Sequence, residues 1–406
     1  MAHAVLQHRE GARQTGRVAP PRLLADLLHG TGVQINGDAP WDMQVHERRA
    51  YRQILAHASL GLGEGYMDGL WDCEQLDEMF NRLLRAGIDT RIRHLPRLRL
   101  LATVGANALA NLLFNRQSRA RAFQVGREHY DIGSDVFEAM LDPSLCYSCA
   151  YWEAADTLAD AQRAKLDMIC RKLDLQAGDR LLDIGCGWGG LAAYAAEQFG
   201  AQVYGITVSR AQQELAQQRC AGLPVTIALR DYRDIDGRFD KIVSVGMLEH
   251  VGPKNYRDYF RRVERALAPD GLVLLQSIGA TTTNATTDPW IDRYIFPNGK
   301  LPSARQITQA LESQLALRDW HEFGADYDRT LIAWWKNFDR AWPQLCERYS
   351  RRFYRMWRYY LLSCAATFRA DRSQLWQLVL SRPGERRGYR SWRPAEPAPL
   401  RGSSGY

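Results

Sequence analysis

Leu181-Leu182-Asp183-Ile184-Gly185-Cys186-Gly187-Trp188-Gly189-Gly190 is the stretch on which the reading of this chain turns. Leu181, Leu182 and Ile184 suit a buried parallel strand. Gly185, Gly187 and Gly189 permit the sharp backbone turn and the close ligand approach of a strand-to-helix junction. Such a junction builds a nucleotide-cofactor crevice. Glycines at 185, 187 and 190 also satisfy Gly-x-Gly-x-x-Gly, so glycine spacing alone does not separate NAD from S-adenosylmethionine.

The neighbouring segments narrow the choice. Val203-Tyr204-Gly205-Ile206-Thr207 ends without the Asp or Glu that a dinucleotide site places about 20 residues on to hold the ribose. Thr207 and Gln212 are left as neutral hydrogen-bonding candidates. A third strand, 225–229, runs into Arg230-Asp231-Tyr232, where the carboxylate can accept from an adenine amine and the ring can stack on the base. A fourth, 239–245, delivers Gly246-Met247-Leu248-Glu249-His250 to the same rim. Ligands of open α/β sheets bind at the carboxyl ends of the strands, so these strand ends converge on one site. Taken singly, each polar residue is as readily a cap or a solvated loop group. Together, Asp183, Gly185, Gly187, Gly189, Thr207, Gln212, Asp231 and Tyr232 favour a methyltransferase-type cofactor site.

Strand patterns at 180–184, 202–206, 225–229, 241–245 and 272–277 alternate with helical patterns near 190–198, 209–220 and 254–267. The alternation predicts an α/β fold with a parallel sheet covered on both faces. A helix over 160–174 precedes the first strand, and another is expected over 303–318, followed by a mixed aromatic-dense region to about 380. Upstream, residues 23–114 read as mostly helical with a glycine-rich interruption at 61–69, and the Arg-rich segment 116–127 reads as a linker. Residues 1–20 read as frayed, and 383–406, rich in Arg, Pro, Gly and Ser, as disordered.

A chain of 406 residues suggests two domains, and its 46% hydrophobic and 24% charged residues are ordinary globular composition. No uninterrupted apolar run is long enough to span a bilayer, and the amino terminus lacks the apolar centre of a secretory signal, so a cytoplasmic protein is expected. Eight scattered cysteines fit reduced thiols; Cys146-x-x-Cys149 has no second pair to complete a zinc site, and no metal is expected. The net charge of +7 is modest, but its distribution is informative. Arg82, Arg85, Arg91, Arg93, Arg97 and Arg99 precede the apolar run 100–114, and Arg116, Arg119 and Arg121 follow it. This arrangement suits an anionic membrane surface and equally an ordinary interdomain helix. Nucleic acid is not expected, because no reader motif or stacking platform accompanies the basic residues.

Several further motifs carry a family resemblance: His129-Tyr130-Asp131-Ile132-Gly133, Leu141-Asp142-Pro143, Tyr147-Ser148-Cys149-Ala150-Tyr151-Trp152, Glu249-His250-Val251-Gly252 and Tyr294-Ile295-Phe296-Pro297-Asn298-Gly299. With the glycine turn, over roughly residues 45–380, they resemble the cyclopropane synthases and related acyl-chain methyltransferases. Tyr66-Met67-Asp68-Gly69 resembles the bacterial phospholipid-acting members, which carry an extra helical domain. The resemblance implies a Rossmann-like class I S-adenosylmethionine-dependent methyltransferase fold with a helical amino-terminal domain. It divides the chain into residues 1–122 (lipid or membrane binding, and linker), 123–385 (catalytic) and 386–406 (disordered basic tail).

The implied reaction transfers a methylene from S-adenosylmethionine to the double bond of an unsaturated phospholipid acyl chain. A carbocation forms, and proton loss closes the ring. Such chemistry requires a water-poor pocket, an aromatic wall and a base. In the family the base is attributed to a bicarbonate ion. Resemblance carries its ligands onto Cys149, Glu249, Ile278 through its backbone, and Tyr327, and places Tyr147 and Ser148 at the cofactor. Where the family usually has Leu-Leu-His-Thr-Ile, this chain has Leu274-Leu275-Gln276-Ser277-Ile278. Gln276 can donate to an anion but cannot carry charge or relay a proton. A branched product is therefore the alternative to a ring; a catalytically inactive cofactor-binding protein is opposed by the joint presence of Cys149, Glu249 and Tyr327. Peripheral association with the inner face of the membrane and a homodimer are further expectations.

Overall fold

The computed structural model describes residues 19–93, 133–283, 287–384 and 388–393. At its centre are seven strands: β1 (Arg180–Ile184), β2 (Gln202–Thr207), β3 (Val225–Leu229), β4 (Phe239–Val245), β5 (Leu267–Ala280), β6 (Ala316–Glu322) and β7 (Ser373–Ser381). They form one sheet in the spatial order β3-β2-β1-β4-β5-β7-β6. β1 to β5 run parallel, and β7 inserts antiparallel between β5 and β6. Strand order reverses between β1 and β4, which opens a crevice at their carboxyl ends.

Alternate side chains of the central strands are apolar on both faces, so helices cover both. Leu181, Val203, Val243 and Leu274 pack under the helices Leu158–Lys172 and Gly190–Phe199. Leu182, Ile242, Val273 and Leu275 pack against the helices Tyr256–Ala266 and Ala304–Leu311 on the other side.

The carboxyl-terminal part departs from the sequence reading. The helix expected over 303–318 begins with a Ser303/Gln306 capping box but ends at Leu311. Ser313, at φ 66°, turns the chain, and residues from 316 join the sheet edge as β6. The aromatic-dense region resolves into two long helices, Ala325–Leu345 and Arg351–Arg369, followed by β7.

The glycine-rich stretch expected to interrupt the amino-terminal helices is itself the helix Ser59–Met67. Its glycines permit contact rather than bending: a Cβ on Gly61 would lie 2.1 Å from the Gln53 carbonyl oxygen, and one on Gly63 2.3 Å from the Trp290 indole. Tyr66, Trp71 and Met79 share one hydrophobic core with Trp290, Trp357 and Tyr359. The buried Arg355 donates to the Tyr66 and Trp71 carbonyls and pairs with Asp72 at 2.7 Å. Residues 19–93 are thus packed into the catalytic body rather than set beside it.

The tail assigned as disordered over 386–406 is docked where it is described: Ser391 and Arg393 both bond the Asp319 carboxylate, at 2.9 and 2.6 Å. The expected boundary at 122/123, the linker 116–127, the Arg-flanked run 100–114 and His129 to Ile132 lie outside the described residues.

Candidate active site

The crevice over β1 is a cavity lined by residues at the carboxyl ends of β1, β2, β3 and β4, among them Gly185, Gly187, Thr207, Gln212, Asp231, Tyr232, Met247 and His250, together with Tyr147 and Ser148. Gly185 adopts φ +82°, and a Cβ there would press on Met247 at 3.0 Å, so this position requires glycine. Gly189 does not line the cavity; it starts the following helix in a left-handed conformation against Ala216 and Cys220.

Asp183 lies at the cavity wall, 2% exposed, with Oδ2 buried and unpartnered. Burial pushes its carboxyl up to about 7, against the opposing influence of Lys165. Such an atom is an acceptor awaiting a cationic or donor ligand. At the β2 end, the Thr207 hydroxyl donates to Gln212 Oε1 at 2.8 Å, which turns the Gln212 amide nitrogen away as a donor. Asp231 is differently employed: its carboxylate pairs with Arg233 at 2.9 Å and caps the short turn that follows. Tyr232 packs edge-on against Tyr259, ring centroids 5.2 Å apart, in the sheet core. Both line the cavity; Arg233 takes part of the Asp231 carboxylate and Tyr259 one side of the Tyr232 ring.

None of Cys149, Glu249, Gln276, Ile278 and Tyr327 lines this cavity; Cys149, Tyr327 and Ile278 pack in one core, Glu249 is bonded to Ile278, and the Gln276 side chain is bonded to Gln377. Glu249 sits between Met247 and His250, which line the cofactor side, on the short helix Leu248–Val251. Its Oε1 accepts from the Ile278 N–H at 2.6 Å, whereas Oε2 is buried with no partner. Ile278 therefore spends on Glu249 the N–H expected to meet an ion. Burial raises the Glu249 carboxyl to about 7 and lowers His250 to about 4. Cys149 is fully buried, and burial, with Asp326 adding to it, holds its thiol protonated. That argues against a thiolate nucleophile paired with His250. Tyr327 stacks on Phe368 at 4.6 Å and meets Trp334 edge-on; burial and the neighbouring Cys149 keep its phenol neutral.

The loop carrying Cys149 is held from the helix Ala325–Leu345. Thr330 Oγ1 accepts from the Ala150 N–H at 3.1 Å and from the Trp152 indole at 2.9 Å, and the Asp326 carboxylate accepts from the Trp152 N–H at 2.8 Å. Two lysines were missed as site residues. Lys165, 2% exposed, donates to Ser148 Oγ at 3.0 Å, and Lys172, 0% exposed, lies under β7. Both stand on the apolar stripe of one helix with Ala161, Met168 and Ile169, a spacing in which a lysine signals burial.

The residues 117–378 match the family model described as mycolic acid cyclopropane synthetase. The chain is 54% identical over 361 residues to the cyclopropane-fatty-acyl-phospholipid synthase of Escherichia coli (strain K12), covering 89% of this chain and 93% of that one. It is 35% identical over 393 residues to the tuberculostearic acid methyltransferase UfaA1 of Mycobacterium tuberculosis, covering 92% and 90%. The crystal structure of mycolic acid cyclopropane synthase CmaA1 complexed with SAH and CTAB superposes with a TM-score of 0.60 at 31% identity, over 64% of this chain and 97% of that chain.

Proposed function

The chain belongs to the mycolic acid cyclopropane synthetase family, and on that footing we propose how its residues divide the reaction. The protein is an S-adenosylmethionine-dependent methyltransferase that builds cyclopropane rings on the double bonds of unsaturated phospholipid acyl chains. When bound, S-adenosylmethionine supplies the carbon as an electrophilic sulfonium methyl. Asp183 offers its orphaned oxygen to the cofactor's ammonium group, Thr207 and Gln212 take the ribose hydroxyls, and Gly185 allows the backbone to approach. Tyr147, Trp334 and Tyr327 exclude water and present ring faces to a cationic acyl chain.

The observation that carries the reading is the buried, unpartnered Glu249 Oε2, on a short helix between Met247 and His250, which line the cofactor cavity. The Cys149 thiol, the Tyr327 phenol and a protonated Glu249 make a donor set that suits a small oxyanion. Bicarbonate, when bound there, supplies the base for the proton released on ring closure. Ile278 contributes its N–H only by sharing it with Glu249.

Among the described residues no helix is long and apolar enough to cross a membrane. Peripheral association through the basic segment around 97–121 supports delivery of the acyl chain, and a homodimer would double the contact. The test is expression in a host lacking such an enzyme, with fatty acids profiled by mass spectrometry before and after hydrogenation. A hydrogenation-resistant gain of one carbon unit is expected. A branched, hydrogenation-sensitive product would assign this chain to the reaction that stops short of the ring, and unchanged lipids would overturn the proposal.

A further inference from the structure

Gln276 on β5, Gln377 on β7 and His321 on β6 are paired in register, so their side chains form a row across the sheet. Lys172, the last residue of the helix Leu158–Lys172, reaches into that row. Its Nζ donates to Gln377 Oε1 at 2.8 Å and to His321 Nδ1 at 2.8 Å. Gln377 Nε2 in turn donates to Gln276 Oε1 at 2.8 Å. Lys172 and Gln377 are 0% exposed and Gln276 is 1% exposed. No step assigned so far uses Lys172 or Gln377.

The direction of this chain is decided at its origin. An ammonium group donates and cannot accept, so Gln377 must turn its carbonyl to Lys172 and its NH₂ to Gln276. Gln276 must then turn its carbonyl to Gln377, leaving its own NH₂ as the outward group. Burial, reinforced by Arg393 and opposed by Asp319, brings Lys172 down to about 7; the ammonium present below that value imposes this direction, whereas the neutral amine keeps N–H groups for both acceptors but also gains a lone pair. Burial, with Lys172 and Arg393 beside it, lowers His321 to about 4, so the ring is neutral, and the Lys172 ammonium selects the tautomer in which Nδ1 accepts. Gln276 shares its sheet face with Ile278, two residues on, which packs in the same core as Cys149 and Tyr327. An isolated glutamine could flip its amide; this one is held in a single sense while Lys172 carries its proton.

We propose that Lys172 and Gln377 are positioning residues that lock the Gln276 amide with its NH₂ toward the oxyanion pocket of Glu249, Cys149 and Tyr327, so that Gln276 serves as a fixed donor to the anion. The inference rests on the bicarbonate reading above and assigns residues to it.

Gln377→Glu is the sharpest probe. It is isosteric and still accepts from Lys172, but it can no longer donate to Gln276, whose amide should then rotate and turn its carbonyl toward the anion. The readout is thermal unfolding of the S-adenosylhomocysteine complex titrated with bicarbonate at constant ionic strength, with activity measured in parallel. The bicarbonate needed for half-maximal stabilisation should rise about tenfold or more, the worth of one donor to a charged group, with cofactor affinity unchanged. In a Gln276→Leu background the same substitution should add nothing. Gln377→Met, which keeps the volume and removes the donor, carries the same expectation should the glutamate variant not fold. A wild-type protein that does not respond to bicarbonate would overturn both the ion and the relay. A wild type that responds, with an unshifted Gln377→Glu titration, would overturn the relay alone.

Discussion

The Ile278 N–H donates to Glu249 Oε1 at 2.6 Å, while the other oxygen of the same carboxyl is buried without a partner. One half of the group is anchored to the sheet and the other is left unbonded in the interior. That asymmetry places Glu249 at the border between scaffold and chemistry, and it has consequences that can be measured without substrate.

Burial raises the Glu249 carboxyl from 4.5 to about 7. Between those values the unfolded chain has released the proton and the folded one has kept it, so this group's contribution to stability is lost as pH rises through that window. Glu249→Gln cannot ionise and escapes the loss. Its melting temperature relative to wild type should be higher at pH 8 than at pH 5, both without ligand. An equal offset at the two values would show that Glu249 is not protonated in the folded protein.

Asp183→Asn keeps the shape of the cofactor wall and removes its negative charge. Affinity for S-adenosylmethionine should fall about tenfold, the order expected for one charge-assisted hydrogen bond. Calorimetry checks it, and unaltered binding would remove Asp183 from the cofactor's contacts.

Thr330→Val leaves the Ala150 N–H and the Trp152 indole N–H without their acceptor. A loss of about 2 kcal/mol or more is expected from two stranded buried donors. Because the loop they hold carries Cys149, turnover should drop more than cofactor affinity. Denaturant unfolding beside steady-state kinetics separates the two effects.

Gly61→Ala should destabilise more than Gly63→Ala. The added methyl meets a backbone carbonyl in the first case and the side chain of Trp290 in the second. Overpacking of this kind costs about 1–3 kcal/mol, and a backbone contact is the harder to relieve. The order of the two melting temperatures is the measurement, and a reversed order would contradict the packing described.

Arg355→Met cuts the buried tie between the helix Arg351–Arg369 and the carbonyls of Tyr66 and Trp71. Stability should fall by about 2–4 kcal/mol, with proteolytic cleavage appearing first within residues 19–93. This substitution is a finer probe than deleting residues 1–115, because deletion would also strip Tyr66, Trp71 and Met79 from the shared core.

Much of the molecule was legible locally. The parallel strands and the helices between them announce themselves through apolar runs, and the turn at 185–190 through its glycines. The edge strand β6, the antiparallel strand β7 and the two long helices did not, because aromatic residues such as Trp334, Trp357 and Trp376 fill either kind of element equally well. The glycine-rich helix Ser59–Met67 was misread because glycine signals a break unless the neighbour that demands the close approach is known. The pairing of Asp231 with Arg233 was likewise not read, although the two stand only two residues apart.

The sequence by itself determined the parallel strands β1 to β5 and the glycine turn, since each depends on the spacing of residues near one another in the chain. Tertiary structure alone decided the chemical states of the site groups. Whether Glu249 keeps its proton, whether Lys172 is buried and which way the Gln276 amide faces depend on partners brought in from distant segments, through desolvation and through the one-way donor and acceptor capacity of each group.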